Sequence, residues 1–183
     1  MQDLPYSLMS ELSKVAGKGH PPVHLWQPEE EKDIDLVICR DGTWNYLGTP
    51  IHRRRLLHLF ASVLRKDDDD YFLVTPVEKC RITVEDVPFQ IILMDVEGEG
   101  ESQRLSVTTD MGEVICIDAE HALRIEQVGE EWIPYVLIRD GMEARMSRNV
   151  YYQLSDHLTE SQYEGDAWLG VWSSDQFFPL MEG

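Results

Sequence analysis

Cysteine is scarce in this 183-residue chain, and none of the familiar cysteine patterns occurs. Cys39, Cys80 and Cys116 are far apart, each lies in a strand-like stretch with apolar residues, and there is no Cys-x-x-Cys pair. Three isolated cysteines favour a reduced intracellular protein over a disulfide framework. Because free cysteine in apolar strands usually packs as a small hydrophobe, we expect no cysteine nucleophile.

Long apolar runs are also missing. No stretch approaches the roughly 18 consecutive apolar residues of a membrane-spanning helix. The N-terminus lacks the basic region and apolar core of a secretion signal. Together with the isolated cysteines, these absences predict a cytoplasmic protein with no membrane partner.

Positive charge is in short supply: 16 basic residues stand against 34 acidic ones, for a net charge of -18. Such a chain repels polyanions at long range, which argues against nucleic acid polymers as partners. His52-Arg53-Arg54-Arg55 is the one basic run. It is either the solvated first turn of a helix or a local anion contact.

The common catalytic and metal-binding motifs are absent. There is no Gly-x-Ser-x-Gly, no P-loop and no Gly-x-Gly-x-x-Gly opening a helix. The His20-x-x-x-His24 pair lies in a proline-rich loop, and Asp67 to Asp70 lacks the glycine and final glutamate of a calcium loop. We therefore expect no metal and no cofactor, and we rank an enzyme last.

The most structured stretch runs from Pro134 to Leu158 and predicts a strand, a tight turn, a strand and a helix. Asp140-Gly141 suits a two-residue hairpin because both residues tolerate positive φ. Ser147 is a plausible helix N-cap. Apolar residues then recur with helical spacing at Val150, Leu154 and Leu158.

An earlier stretch repeats this plan. Arg40-Asp41-Gly42 parallels Arg139-Asp140-Gly141, and Thr49-Pro50 is predicted to cap and open a helix that runs to about Arg65. The chain therefore predicts two related hairpin-helix units, an internal duplication.

Short strands separated by turn signals make up most of the remainder, so we expect an α+β fold with mostly antiparallel sheet. An N-terminal helix is predicted from the spacing of Leu4, Leu8, Leu12 and Val15. The predicted division is residues 1–76, a strand-rich unit at 77–158 closed by a helix, and an apolar tail at 159–183 that packs back on the body. Strands closed by one helix also resemble, superficially, a pleckstrin-homology fold.

Two groups of residues could bind a small anion. Arg139, Arg145 and Arg148 precede or open the last helix, and Tyr152 offers a stacking face. Thr75 and Lys79 lie at the predicted boundary between the units, where clefts often bind ligands. The alternative is that the arginines form structural ion pairs and that Thr75 caps a turn.

Four segments resemble the bacterial domain-of-unknown-function 1285 (DUF1285) family along nearly the whole chain. They are Asp41-Gly42-Thr43-Trp44 with Gly48 to Ile51, Leu73 to Lys79, Ile82 to Phe89, and Pro134 to Tyr152. The family has no established activity. The resemblance implies a duplicated core, a pleckstrin-homology-like C-terminal part and a pocket at the junction for a nucleotide-like ligand in signalling.

Two functional hypotheses follow. The first is a non-enzymatic signalling or sensor module that binds a small anionic, nucleotide-like ligand between its two units through Thr75, Lys79, Arg139, Arg145, Arg148 and Tyr152. The second is a protein-interaction adaptor that uses sheet edges or the Trp/Phe tail and needs no ligand.

Overall fold

The computed structural model describes residues 6–16 and 19–183, which form two compact units. The first unit ends at Asp86 and the second is Val87–Gly183. The division therefore lies after Asp86 and not near residue 76. The reason is that the strand following residue 76, Glu78–Val84, hydrogen-bonds to two strands of the first unit and cannot be separated from it.

The first unit is a six-stranded sheet with two helices. The helices are α1 (Tyr6–Val15) and α2 (Arg54–Ser62), and a short 3-10 helix covers Val23–Leu25. The strands are β1 (Glu30–Ile38), β2 (Trp44–Tyr46), β3 (Thr49–Pro50), β4 (Leu64–Asp67), β5 (Asp70–Val74) and β6 (Glu78–Val84). Their order is β3-β2-β1-β6-β5-β4, and the β1–β6 pair alone is parallel.

The predicted helix from Pro50 to Arg65 is shorter at both ends. Thr49–Pro50 pairs with Asn45–Tyr46 as β3, so its predicted role as the helix cap is wrong. At the other end Arg65 belongs to β4, where its buried guanidinium donates to the carbonyls of Val23 and Trp26 at 2.8 Å. A buried guanidinium needs such acceptors, and here they favour a strand over another helical turn.

The N-terminal helix is present as α1, with Leu8 and Leu12 fully buried. Leu4, also assigned to this helix from the sequence, lies outside the described residues. The helix α1 contacts Glu78, whose carboxylate accepts a hydrogen bond from Ser7 at 3.4 Å and pairs with Lys32.

The second unit contains a second six-stranded sheet, one helix and a three-stranded sheet. The larger sheet has β7 (Phe89–Glu97), β8 (Arg104–Thr109), β9 (Val114–Cys116), β10 (Leu123–Val128), β11 (Glu131–Arg139) and β12 (Met142–Met146) in the order β10-β11-β12-β7-β8-β9. The helix α3 (Arg148–Ser155) is followed by β13 (Thr159–Tyr163), β14 (Asp166–Ser173) and β15 (Gln176–Glu182). A short 3-10 helix covers Gly100–Ser102.

The predicted hairpin and helix cap in this unit are confirmed. Asp140 and Gly141 have φ values of 49° and 74°, as a two-residue hairpin turn requires, and Arg139 pairs with Met142. The hydroxyl of Ser147 accepts from the amide of Val150, at the start of α3. The fold is therefore mostly sheet, largely antiparallel, with three α-helices in the described residues.

Residues 159–183, predicted to be an apolar tail, form the three-stranded sheet β13-β14-β15. Its apolar residues Val171, Phe178 and Leu180 are buried. The fully buried Ser173 joins this sheet to the larger one: its hydroxyl accepts from the Leu105 amide at 3.0 Å and donates to the Ile117 carbonyl at 2.6 Å.

Replacement of Ser173 by alanine leaves that buried amide and carbonyl without partners. We expect Ser173→Ala to lower the free energy of unfolding by about 2 kcal/mol, measured by urea denaturation. Ser106→Ala is the matched control, because Ser106 lies on the strand β8 beside Leu105 and is only half-buried. Equal effects of the two substitutions would contradict the structural role given to Ser173.

Cys80 generates a prediction about pH. Burial raises the pKa of this thiol to about 12, whereas an unfolded cysteine titrates near 8.5. The folded state therefore keeps a proton that the unfolded state loses between these values. The contribution of the Cys80 thiol to the free energy of unfolding is fully present below about pH 8.5. It falls as the pH rises toward about 12, by up to about 1.4 kcal/mol per pH unit.

Urea denaturation of the wild type and of Cys80→Ala between pH 8 and pH 10 measures this contribution, since other groups titrate in both proteins. We expect the wild type to lose stability more steeply with pH than the variant. Parallel pH dependences would contradict the assignment.

Candidate functional site

Thr75 and Lys79, the site residues predicted in the first unit, are engaged within that unit. Thr75 is fully buried, and its hydroxyl lies within hydrogen-bond distance of the amide and carbonyl of Glu78, both at 3.2 Å. The Lys79 ammonium contacts Asp67 at 3.2 Å and Glu31 at 3.3 Å, and lies 4.1 Å from the centre of the Phe72 ring. Both side chains therefore have a structural role here.

The arginines predicted in the second unit do not converge. Arg139 pairs with Glu113 at 3.1 Å, beside the hairpin turn, while Arg148 pairs with Glu131 at 2.9 Å. Glu131 and Arg139 are the two ends of the nine-residue strand β11, which at about 3.3 Å per residue places them about 26 Å apart. Arg145 lies between them on β12, half-buried and opposite Tyr135. Tyr152 is 62% exposed on α3.

A different part of the second unit forms a large concave surface, which we call the aromatic groove. It has a volume of about 810 Å³ and is formed by Ala122–Ile125, by Gln176–Glu182 of β15, and by Trp132, Tyr163 and Trp168. This volume lies within the range of about 300–1,000 Å³ of ligand pockets. The groove runs between β10 and β15, each of which is the edge strand of its sheet.

The walls of the aromatic groove are partly exposed rings on a buried apolar floor. Trp132 is 45% exposed and Tyr163 is 37% exposed, and the rings of Tyr163 and Trp168 meet edge to face at 6.3 Å. Phe177 and Phe178 are buried, and the centre of the Phe177 ring lies 6.5 Å from that of Tyr163. Exposed large rings gathered around one concavity are typical of binding sites, because tryptophan and tyrosine dominate the energy of many protein interfaces.

The backbone of β10 also faces the aromatic groove. Ile125 is opposite Pro134, which has no N–H to donate, so this pair is of the non-hydrogen-bonded type. The Ala122 carbonyl accepts a hydrogen bond from the Leu137 amide at 3.0 Å. Because hydrogen-bonded and non-hydrogen-bonded pairs alternate along the two strands, this bond also makes the Ile125 pair a non-hydrogen-bonded one. The N–H and C=O groups of Ile125 therefore point away from β11, toward the free edge of the sheet.

The charge around the aromatic groove is negative. Residues 149–183 contain no lysine or arginine and six acidic residues, and the exposed Glu182 is part of the groove itself. Arg124 also lines the groove, but its guanidinium lies over the Tyr135 ring on the opposite face of the sheet, where it is neutralised by Glu143 at 2.7 Å and by Glu126. The hydrogen bonds that the Arg124 guanidinium donates to Glu143 are the main cause of the raised pKa of Arg124.

No metal site accompanies the groove: over residues 6–16 and 19–183, no three histidine, cysteine or acidic side chains are grouped so that they could hold an ion. Within the same ranges, none of the helices has the length and apolar character of a membrane span.

The sequence reasoning missed the aromatic groove, although it singled out the Trp/Phe tail. The signal that it overlooked was Pro134 inside a predicted strand, because proline in a sheet marks a position whose N–H is not needed.

Comparisons with known proteins give one consistent result. A family model described as the N-terminal domain of the domain of unknown function DUF1285 matches residues 21–87, and a model of the DUF1285 C-terminal domain matches residues 88–180. The two matches meet next to the division between the units. Among curated proteins, none matches this chain.

Two solved structures are similar to this chain. One is a DUF1285 family protein from Silicibacter pomeroyi DSS-3, with 42% identity and a TM-score of 0.87 over 96% of this chain and 94% of that one. The other is a DUF1285 family protein from Shewanella baltica OS155, with 31% identity and a TM-score of 0.52 over 66% of this chain and 90% of that one.

The position of β15 beside the groove depends on Gly170. This residue pairs with Pro179, and a Cβ atom at position 170 would lie 2.2 Å from the Phe178 carbonyl oxygen and 2.8 Å from the Phe177 ring. Because the nearest atom is backbone, the strands must separate to admit a methyl group. We expect Gly170→Ala to lower the free energy of unfolding by about 3 kcal/mol, measured by thermal and urea denaturation.

Gly112→Ala is the control for this substitution. Gly112 has a φ of 84° and open space around its Cα, so alanine there meets only the backbone penalty of about 1 kcal/mol. A Gly170→Ala variant no less stable than the control would show that the two strands are not so closely packed.

Proposed function

We propose, as the chain belongs to the bacterial DUF1285 family, that this member is a non-enzymatic binding protein whose C-terminal unit docks a segment of a partner protein in the aromatic groove. The observation that carries the proposal is the concentration of Trp132, Tyr163 and Trp168 around one concavity of about 810 Å³. Its three free cysteines, Cys39, Cys80 and Cys116, suit a location in the cytoplasm.

This proposal develops the adaptor hypothesis. Deletion of Trp168–Gly183 is not a clean test, because it removes all of β15 and most of β14 from a folded sheet. Single substitutions of exposed groove residues are preferable, since they leave the buried residues of the sheet in place.

The hypothesis of a small anionic, nucleotide-like ligand in signal transduction stays a prediction. For Lys79, Arg139 and Arg148 to hold an anion, each would first have to leave a carboxylate. That exchange costs a ligand part of its binding energy. We therefore favour the aromatic groove, whose exposed rings need no such rearrangement.

We further propose that the duplication and the pleckstrin-homology likeness have a basis in the topology. Each Arg-Asp-Gly hairpin precedes a helix and gives one strand to a parallel pair, β1 with β6 and β12 with β7. The two units differ in detail. The first hairpin contributes its first strand, β1, to the parallel pair, whereas the second hairpin contributes its second strand, β12. The six strands β7 to β12 followed by α3 support the likeness of the C-terminal unit.

A displayed library of random peptides tests the docking function. We expect the full-length protein to select peptides, and Trp132→Ala to weaken their binding at least about tenfold, measured by fluorescence anisotropy with synthetic copies. Because Trp132 is 45% exposed, this variant should fold normally, which circular dichroism verifies.

Tyr152→Ala is the matched control, an exposed aromatic residue of the same unit that does not line the groove. It should bind the peptides like the wild type. Failure to select any peptide, or equal loss in the two variants, would overturn the proposed function.

A further inference from the structure

We infer that the segment docked in the aromatic groove is an extended strand rich in lysine or arginine, which adds to the free edge of β10. This inference rests on the proposed function and names the chemistry and conformation of the partner segment. It follows from three features of the groove: an open strand edge, exposed rings and one carboxylate, that of Glu182, without an ion pair among the described residues.

The open edge sets the conformation. In an antiparallel pair of strands, every second residue points both its N–H and its C=O at the partner strand, and the residues between point both groups away from it. Since Ile125 is in a non-hydrogen-bonded pair with Pro134, its N–H and C=O face outward, as do those of Gln127 two residues later. An extended peptide can pair with these groups and continue the sheet, a common mode of peptide recognition.

The neighbouring edge explains why the added strand should pair with β10 and not with β15. Pro179 lies in β15 and has no N–H, and a proline in an edge strand blocks pairing. β10, in contrast, has no proline over its six residues, Leu123–Val128. The aromatic groove therefore offers one pairing edge, and β15 supplies the facing wall.

The rings determine which side chains the strand presents. Gln127 is opposite Trp132, so Trp132 and Ile125 lie on the same face of the sheet, toward the groove. Alternate side chains of an added strand would point to that face. A cationic side chain there can lie over the ring of Trp132, Tyr163 or Trp168. Such a position is favourable because the faces of tryptophan and tyrosine rings attract ammonium and guanidinium groups.

The carboxylates select the charge. Glu182 lines the groove and has no ion pair among the described residues, while Arg124 is already held by two glutamates. Beyond the groove, residues 149–183 add acidic side chains and no lysine or arginine. A basic segment meets complementary charge here, and an acidic segment is repelled.

The test compares two displayed libraries with full-length protein as bait. Both contain random peptides of about ten residues, enough to span β10 with short flanks; one supplies lysine and arginine but no acidic residues, and the other the reverse. We expect enrichment from the basic library, and affinities of the synthetic winners that fall as salt rises.

Backbone pairing is tested on the same peptides. N-methylation of successive amides should weaken binding about tenfold at every second position and little at the positions between. Ile125→Pro removes the outward N–H of β10 and should weaken binding likewise. Glu182→Gln should reduce the affinity and the salt dependence, whereas Glu97→Gln, an exposed carboxylate outside the groove, should change neither.

The outcomes separate the two levels of the argument. Peptides that depend on Trp132 but come from the acidic library, or that tolerate N-methylation at every position, would overturn this inference and leave the docking function standing. No peptide from either library would overturn both. If Ile125→Pro does not fold, the N-methylated peptides decide the question alone.

Discussion

The C-terminal unit depends on one buried hydroxyl. Ser173, the last residue of β14, is fully buried. Its hydroxyl accepts a hydrogen bond from the Leu105 amide and donates one to the Ile117 carbonyl. Beside it the Gln103 side chain donates to the Trp172 carbonyl at 2.9 Å. These bonds fix the end of β14 against β8 and the residue that follows β9 in the larger sheet. Because β15 pairs with β14 along its length, the same bonds place β15, and with it one wall of the aromatic groove.

Charge shapes the rest of the molecule by a simple imbalance. With 34 acidic and 16 basic residues, most cations have a carboxylate within reach, and Lys79, Arg124, Arg139 and Arg148 are all paired in the structure. These four cations are each paired with a carboxylate of their own unit, and the excess of acidic residues leaves other carboxylates without a cation. A protein of this kind is suited to bind cationic partners, which is the selectivity that we assign to the aromatic groove.

Local rules predicted much of the fold and little of the candidate site. The Asp140-Gly141 turn and the Ser147 cap follow from backbone preferences of a few adjacent residues, so the sequence sufficed. Thr49-Pro50 misled because the same residues also suit an edge strand, and pairing with Asn45–Tyr46 decided the outcome. The predicted arginines share a short stretch of sequence, but a nine-residue strand separates the two outer ones. The groove joins residues between about 30 and 60 positions apart, and beyond the hint that Pro134 gave, local sequence patterns do not show which distant residues meet.

The most direct measurement is amide hydrogen exchange along β10 in the free protein, read by nuclear magnetic resonance. The account predicts alternation: the amides of Arg124 and Glu126, bonded to β11, exchange slowly, and those of Ile125 and Gln127, which face the open edge, exchange much faster. Adding a selected basic peptide should then protect Ile125 and Gln127. Uniformly slow exchange in the free protein would mean that the edge is already covered, and would contradict the claim that it is open for a partner strand.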